Sequence, residues 1–239
     1  MFILDVHIKP ENKIILTARI IAMNLVNNIP NNSLRKVLAL TMGTLLFSAS
    51  PAYAHHLMDG ATPQTFAQGF LSGLAHPIIG LDHLAFLVVA ILLACSLKGS
   101  MRYLTPLAFV AATVGGAVLH LGAVNIPMSE TLVALTVIMA SMLVLTRKYP
   151  GAFVLSIVFA VSGIFHGYAY GESIVGAETT PLLAYLIGYA GIQYTLIIGG
   201  VIGMEKLTAH SEHARNIAVR FSSAVAFLTG GLFVALSFA

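Results

Sequence analysis

The chain has 239 residues, of which 58% are hydrophobic and 9% are charged. This composition excludes a soluble globular domain and predicts an all-α protein that crosses a bilayer several times. The net charge of +3 lies entirely in residues 1–54, so the basic pI of 9.1 gives no reason to expect nucleic-acid binding. A single cysteine, Cys95, excludes an internal disulfide and any thiolate cage built from this chain alone.

The N-terminal part carries the pattern of a cleaved signal peptide. Two basic residues precede the apolar run 37–50, and "SPAYAHH" supplies small residues in an A-x-A cleavage pattern. The competing interpretation is a spanning helix, for which about 14 apolar residues are few. We predict cleavage after Ala54, which separates an N-terminal extension plus signal peptide (1–54) from a membrane domain (55–239). Met23 is an alternative start.

Six membrane spans are predicted after the signal peptide, separated by short turns that contain Gly, Pro or charged residues. They comprise approximately residues 78–97, 103–122, 129–146, 151–171, 181–204 and 216–238. A short amphipathic or re-entrant helix at 63–75, with Thr62 as its N-cap, is predicted at the outer face. The apolar positions of this helix are Phe66, Phe70 and Leu74. The polar stretch 205–216 is predicted as a cytoplasmic loop.

The charged residues predict how these spans are oriented across the membrane. Cleavage of a signal peptide places the new N-terminus outside, and six spans then place the C-terminus outside as well. All basic residues of the mature chain fall on the predicted cytoplasmic side, as the positive-inside rule requires: Lys98, Arg102, Arg147, Lys148, Lys206, Arg215 and Arg220. The predicted outer loops contain Glu130, Glu172 and Glu178. We therefore predict a multi-pass protein of the plasma (inner) membrane.

Ionisable side chains collect near the outer ends of the predicted spans. They are His76, Asp82, His83, His120, His166, Glu172 and Glu178. Polar groups in lipid cost a few kcal/mol each unless they are paired or hydrated, so a shared hydrated site is favoured. Pro77 and Gly80 predict a broken helix, which is how membrane proteins direct polar groups toward an ion. The competing interpretation makes Asp82 a helix cap and the two nearest histidines interfacial anchors.

The types of side chain in this group indicate which ion they would bind. Neutral imidazole with carboxylate suits nickel, cobalt, zinc or copper(II), whereas magnesium and calcium prefer oxygen ligands. His55 and His56, at the predicted mature N-terminus, either add an outer capture site or stand there by accident. His210 and His213 either share a helical face as an exit site or belong to a solvated loop.

The stretch "IFHGYAYGES" surrounds His166 with tyrosines and glycines. Gly163 and Gly167, four residues apart, are interpreted as positions of close helix packing. Tyr168 and Tyr170 are either neighbours of the site or aromatic residues of the membrane interface.

Two motifs resemble the signatures of the HupE/UreJ family of nickel and cobalt permeases. "HPIIGLDH" fits the first signature completely, at His76, Pro77, Gly80, Asp82 and His83. "FHGYAYGE" fits the second at Phe165, His166, Gly167, Ala169 and Gly171. The resemblance covers essentially the whole mature chain. It implies a six-span permease that imports Ni²⁺ or Co²⁺, ahead of Zn²⁺, through an outward-facing His/Asp site, with the metal as cargo and no prosthetic group.

The second motif departs from the family pattern in two respects. Glu172 follows Gly171 directly, whereas the family's acidic residue commonly lies two positions after that glycine, so Glu178 competes with it as a ligand. The two tyrosines stand where relatives often carry histidine, for which His120 would compensate. Without a nucleotide-binding motif, uptake is expected to use the electrochemical gradient. The alternatives are a membrane-embedded metalloenzyme and a metal sensor or assembly partner that does not transport.

Overall fold

The structure, a computed structural model, describes residues 62–238. Its regular elements in that range are helices: α1 (Phe66–Ile79), α2 (Leu81–Ala94), α3 (Met101–Leu104), α4 (Pro106–Leu121), α5 (Ser129–Leu145), α6 (Ala152–Glu172), α7 (Thr179–His210) and α8 (Glu212–Leu236). The all-α prediction is confirmed for this part of the chain. The predicted signal peptide with its cleavage site, and both His55 and His56, lie outside the described residues.

Several of these helices are suited to a bilayer. Within residues 62–238, four segments are long and apolar enough to cross a membrane: Met101–Leu121, Ala152–Glu172, Thr179–His210 and Glu212–Leu236. The pair α1–α2 is a fifth candidate, bent by 73° between its two halves. Helix α5 is apolar but has 17 residues. The described part is therefore a multi-pass helical membrane protein, and the number six stays a prediction.

Helix α1 differs from the predicted amphipathic segment. Its N-cap is Thr65, so the prediction of Thr62 is wrong. The side chain of Thr65 accepts from the N–H of Gln68, and the side chain of Gln68 accepts from the N–H of Thr65, each at 3.2 Å. This reciprocal capping box satisfies two N–H groups that the first turn leaves unpaired, which is why the helix begins there and not three residues earlier.

The face of α1 that packs against the rest of the protein includes two glycines, while the apolar positions predicted for the outer face are exposed or half-buried. Gly69 and Gly73 face α7 so closely that a Cβ on either would collide with the backbone of Pro181 or Tyr185. Phe66 is 54% exposed. The glycines let two helix backbones approach, as small residues do in membrane proteins.

Three helix pairs surround α2. Helix α1 packs along α7, α4 along α6 and α5 along α8, while α2 contacts members of all three pairs. Most residues of α2 are buried in this central position and the others are half-buried, which agrees with a helix that is apolar all round below its first turn. Its buried apolar residues are Phe86, Leu87, Val89, Ala90, Leu92, Leu93 and Ala94.

Glycines fix the spacing of the pair α4 and α6. A Cβ at Gly116 would collide with the carbonyl of Ile164, and one at Gly167 with the carbonyl of Thr113. A Cβ at Gly163 would lie 2.5 Å from the carbonyl oxygen of Phe109. The prediction that Gly163 and Gly167 serve close packing is confirmed.

The predicted loop 205–216 is almost entirely helical. Helix α7 continues to His210, and α8 begins at Glu212 after the N-cap Ser211, whose hydroxyl oxygen accepts from the N–H of Ala214 at 3.1 Å. The stretch contains neither Gly nor Pro, so its polar residues extend the helices instead of interrupting them. His210 and His213 lie on different helices, and both the loop and the shared helical face predicted for them are wrong.

Candidate functional site

The break between α1 and α2 brings together the residues of the first motif. His76 lies in the last turn of α1, and Asp82 and His83 lie in the first turn of α2. All three side chains are buried, with exposed fractions of 6%, 0% and 0%. The bend falls at Gly80, as predicted from Pro77 and Gly80, although the proline itself is accommodated inside α1.

Gly80 leaves the space that these side chains occupy. A Cβ at this position would lie 2.6 Å from Cδ2 of His83 and 3.4 Å from Oδ1 of Asp82. Its backbone angles, φ −68° and ψ 105°, are open to any residue. Glycine is therefore required here for room beside the His83 ring and not for its backbone freedom.

Asp82 combines one paired and one unpaired oxygen. Oδ1 accepts a hydrogen bond of 2.9 Å from the N–H of His83, at the N-terminal end of α2 where a negative charge is favoured. Oδ2 is buried and has no hydrogen-bond donor among the described residues. A buried carboxylate oxygen without a donor is costly, and a cation is one partner that removes this cost.

His166 on α6 extends the cluster. Its Nδ1 lies 2.7 Å from Nδ1 of His83, and its Nε2 lies 3.0 Å from the hydroxyl of Thr136 on α5. Its ring packs on those of Phe86 and Phe109, with centroid distances of 4.6 and 5.5 Å. The prediction that His166 joins the residues of the first motif agrees with this geometry.

His76 is oriented by hydroxyl groups from α7 and from the end of α6. Its Nδ1 lies 2.9 Å from the hydroxyl of Tyr185 and 2.9 Å from that of Ser173. The Tyr185 hydroxyl donates to the carbonyl of Tyr170 at 2.9 Å, so its oxygen accepts from Nδ1–H of His76. In that neutral tautomer the Nε2 of His76 carries the lone pair that a metal requires.

Tyr170 is a neighbour of the site and not an interfacial aromatic. It is fully buried, and its ring centroid lies 4.3 Å from that of His83 and 4.9 Å from that of His76. Tyr168 has another role, because its hydroxyl donates to the carbonyl of Val124 and accepts from the N–H of Ile126. It therefore anchors the connection between α4 and α5.

The remaining predicted ligands lie elsewhere. His120 is half-buried at the end of α4, and its ring contacts that of Tyr168 at 4.5 Å. Glu172 and Glu178 are exposed, at the end of α6 and before α7. In this conformation, no group of three His, Cys, Asp or Glu side chains within residues 62–238 is arranged to hold a metal ion.

Sequence reasoning missed the hydroxyl groups that contact the histidines. Tyr185 and Tyr189 lie four residues apart on α7, and Gln193 follows at the same spacing; all three are fully buried. This polar stripe in an apolar helix was a usable signal. Thr136 could not be identified from the sequence, because a threonine in a membrane helix commonly bonds to a backbone carbonyl in the preceding turn.

The opposite end of the bundle has a separate polar group. Arg102 forms an ion pair with Glu205, to which the hydroxyl of Tyr103 also donates at 3.1 Å. The ion pair borders a cavity of about 350 Å³, which is lined by Cys95, Arg102, Met204, Glu205, Thr208, Ala209 and Arg215. An apolar core that includes Leu87, Leu93 and Ile197 lies along α2 and α7 between this end and the histidines.

The fold and site define a multi-pass helical membrane protein with a buried cluster of imidazole and carboxylate groups at a helix break. A family model described as HupE / UreJ protein matches residues 43–233. Protein HupE of Rhizobium leguminosarum bv. viciae is 32% identical over 188 residues, which cover 78% of this chain and 93% of that protein. No solved structure matches the chain. The chain belongs to the HupE/UreJ family, a transporter family associated with nickel and cobalt.

Gly80→Ala tests whether the space beside His83 matters for function. The new methyl group would displace the His83 ring or Asp82. If these side chains bind a transported metal, its uptake should fall by about 10- to 100-fold, as when a metal ligand loses its orientation. Radiolabelled metal uptake per amount of inserted protein is the measurement. Gly199→Ala is the matched control, because a Cβ there meets nothing within 4 Å. Unchanged uptake in Gly80→Ala would show that the site does not depend on this space.

Proposed function

We propose that the protein is a secondary transporter that imports Ni²⁺ or Co²⁺ across the plasma membrane through a site formed by His76, Asp82 and His83. The observation that carries the proposal is the fully buried Asp82, whose Oδ2 has no donor among the described residues, beside two histidines at a helix break. The family's association with nickel and cobalt supports the choice of cargo.

The chemistry of the donors favours these metals. Imidazole nitrogens with one carboxylate suit borderline divalent ions, and neutral histidine binds them without releasing a proton. Bonding between Nδ1 and the Tyr185 hydroxyl leaves Nε2 as the metal-binding nitrogen of His76. An ion at this position would replace a costly unpaired carboxylate oxygen with a charge-neutralising contact.

The cluster requires a rearrangement before it holds an ion in a complete ligand shell. The ion would first meet Nε2 of His83 while the bond between His83 and His166 is intact. A later separation of the two rings would release Nδ1 of His166, so His166 is a fourth candidate ligand. His120, Glu172 and Glu178, together with His55 and His56, are proposed to attract cations at the outer entrance. This arrangement rests on the predicted orientation, with six spans and both ends of the mature chain outside.

The driving force proposed for uptake is the membrane potential. An inside-negative potential contributes about 2.3 kcal/mol per charge for each 100 mV, so a divalent cation gains about twice that amount on entry. The apolar core between the histidines and the Arg102–Glu205 pair separates the two polar ends. A carrier that changes conformation therefore fits this structure better than a continuous pore.

Uptake of ⁶³Ni²⁺ and ⁵⁷Co²⁺ tests the proposal in cells that lack their own carriers. Cells with the wild-type chain should accumulate at least one metal in a saturable manner, and collapse of the membrane potential should reduce it. If neither metal enters cells that contain well-inserted protein, the proposal fails. A metal that stays bound through purification would then favour a metalloenzyme or a sensor.

A further inference from the structure

We propose that Thr136 is a positioning residue that acts through His166 to present Nε2 of His83 to the metal. Thr136 lies on α5, in neither of the motifs, and contacts the cluster only through His166 among the hydrogen bonds of the described residues. The inference rests on the proposed function, in which His83 binds the cargo. The role proposed for Thr136 is to determine which ring nitrogen of His83 carries the proton.

The hydroxyl of Thr136 can only accept a hydrogen bond from His166. It has one hydrogen, and this hydrogen points to the carbonyl of Val133 at 2.7 Å. Its oxygen also lies 3.0 Å from Nε2 of His166. Since the single O–H is used on the backbone, the histidine nitrogen must be the donor.

The proton on His166 then sets the state of His83. A neutral imidazole carries one N–H, so Nε2–H in His166 leaves its Nδ1 with a lone pair. That lone pair faces Nδ1 of His83 at 2.7 Å, which must therefore donate. His83 accordingly carries its proton on Nδ1 and its lone pair on Nε2, the nitrogen on the ring edge that borders Gly80.

The apolar neighbours of His166 cannot determine which of its ring nitrogens is protonated. Phe86 and Phe109 pack against the ring and fix its plane, but they do not distinguish its two nitrogens. Without the hydroxyl of Thr136, the reversed tautomer of His166 becomes accessible. It would place the proton of His83 on Nε2 and block the metal there. Mutation of a residue that hydrogen-bonds to a metal-binding side chain typically lowers metal affinity or activity by about 10- to 100-fold.

Two substitutions separate the hydroxyl from the shape of the side chain. Thr136→Val removes the hydroxyl at nearly constant volume, and we expect it to raise the KM for Ni²⁺ or Co²⁺ uptake by about 10- to 100-fold with a smaller effect on the maximal rate. Thr136→Ser keeps the hydroxyl and should restore a KM close to wild type. Thr229→Val is the matched control, since buried Thr229 makes the same kind of bond to the carbonyl of Val225 in α8.

The outcomes distinguish this inference from the proposed function. Uptake by wild type that is lost in Asp82→Asn but retains its KM in Thr136→Val overturns the role of Thr136 alone. Equal losses in Thr136→Val and Thr136→Ser also overturn it, because they indicate packing. If wild type transports neither metal, the proposed function fails first.

A measurement on the unaltered protein avoids dependence on variants that fail to fold. ¹⁵N NMR of labelled histidine in the purified, metal-free protein reports which ring nitrogens are protonated, and resonance assignment of the same protein identifies the His166 signals. We expect protonated Nε2 and unprotonated Nδ1 for His166. The reverse pattern would overturn the inference whatever the uptake assays show.

Discussion

Asp82→Asn and His83→Ala are each expected to lower metal uptake by more than about 100-fold, because changes around metal ligands alone already cost 10- to 100-fold. The asparagine keeps the size of Asp82 but removes the charge that offsets a divalent cation in a buried position. The alanine removes the imidazole that contacts both His166 and Tyr170. His76→Ala should behave similarly. Radiolabelled uptake, normalised to inserted protein, measures all three.

The control for the charge change lies on the other side of the bundle. Glu212→Gln makes the same carboxylate-to-amide replacement at an exposed position in the first turn of α8. It should leave uptake within about twofold of wild type, since exposed surface substitutions rarely have large effects. Wild-type accumulation by Asp82→Asn at normal protein levels would remove Asp82 from the site.

Gly116→Ala is expected to destabilise the fold by more than about 3 kcal/mol, above the usual cost of overpacking. The added Cβ would overlap the carbonyl of Ile164 on α6 and contact the N–H of Tyr168 at 2.8 Å. Backbone atoms cannot rotate away as a side chain would, so α4 and α6 must separate. For a chain of this size, that corresponds to a fall in Tm of about 6–12 °C. Thermal unfolding of the purified protein measures it.

The neighbouring glycine supplies a closely matched control. A Cβ at Gly115 meets nothing within 4 Å. Alanine is favoured over glycine inside a helix by about 0.5–1 kcal/mol, so Gly115→Ala should leave Tm unchanged or raise it slightly. Similar losses in both variants would mean that α4 and α6 do not meet through Gly116.

The helical class and the helix break could be predicted from the sequence. Rules for helix capping and helix termination explain where the predictions differ from the structure. Composition predicted the helices, and Gly80 predicted the break within the first motif. The start of α1 was misplaced because both Thr62 and Thr65 are suitable caps, and Gln68, three residues after Thr65, decides between them. The region around Ser211 was misread because polar residues without Gly or Pro are compatible with a helix.

The predicted depth of a residue in its span did not determine which side chains contact one another. His166 joins the cluster, whereas His120 lies beside Tyr168 although both were placed near the outer face. The depth of a residue follows from its position in a span, but the direction of its side chain depends on how the helices rotate and pack. The polar stripe that contains Tyr185 indicates a buried polar face of α7, but its partner His76, 109 residues away, depends on that packing.

The three helix pairs around α2 link the geometry of the cluster to the relative position of the pairs. His76 belongs to the pair α1–α7, His166 to α4–α6 and Thr136 to α5–α8, while His83 lies on the central helix. A displacement of any one pair by a few ångströms would break a bond to His83 or to its neighbours. If the cluster binds the cargo as proposed, its affinity for an ion would depend on how the helix pairs are arranged, and binding and release would require no separate switch.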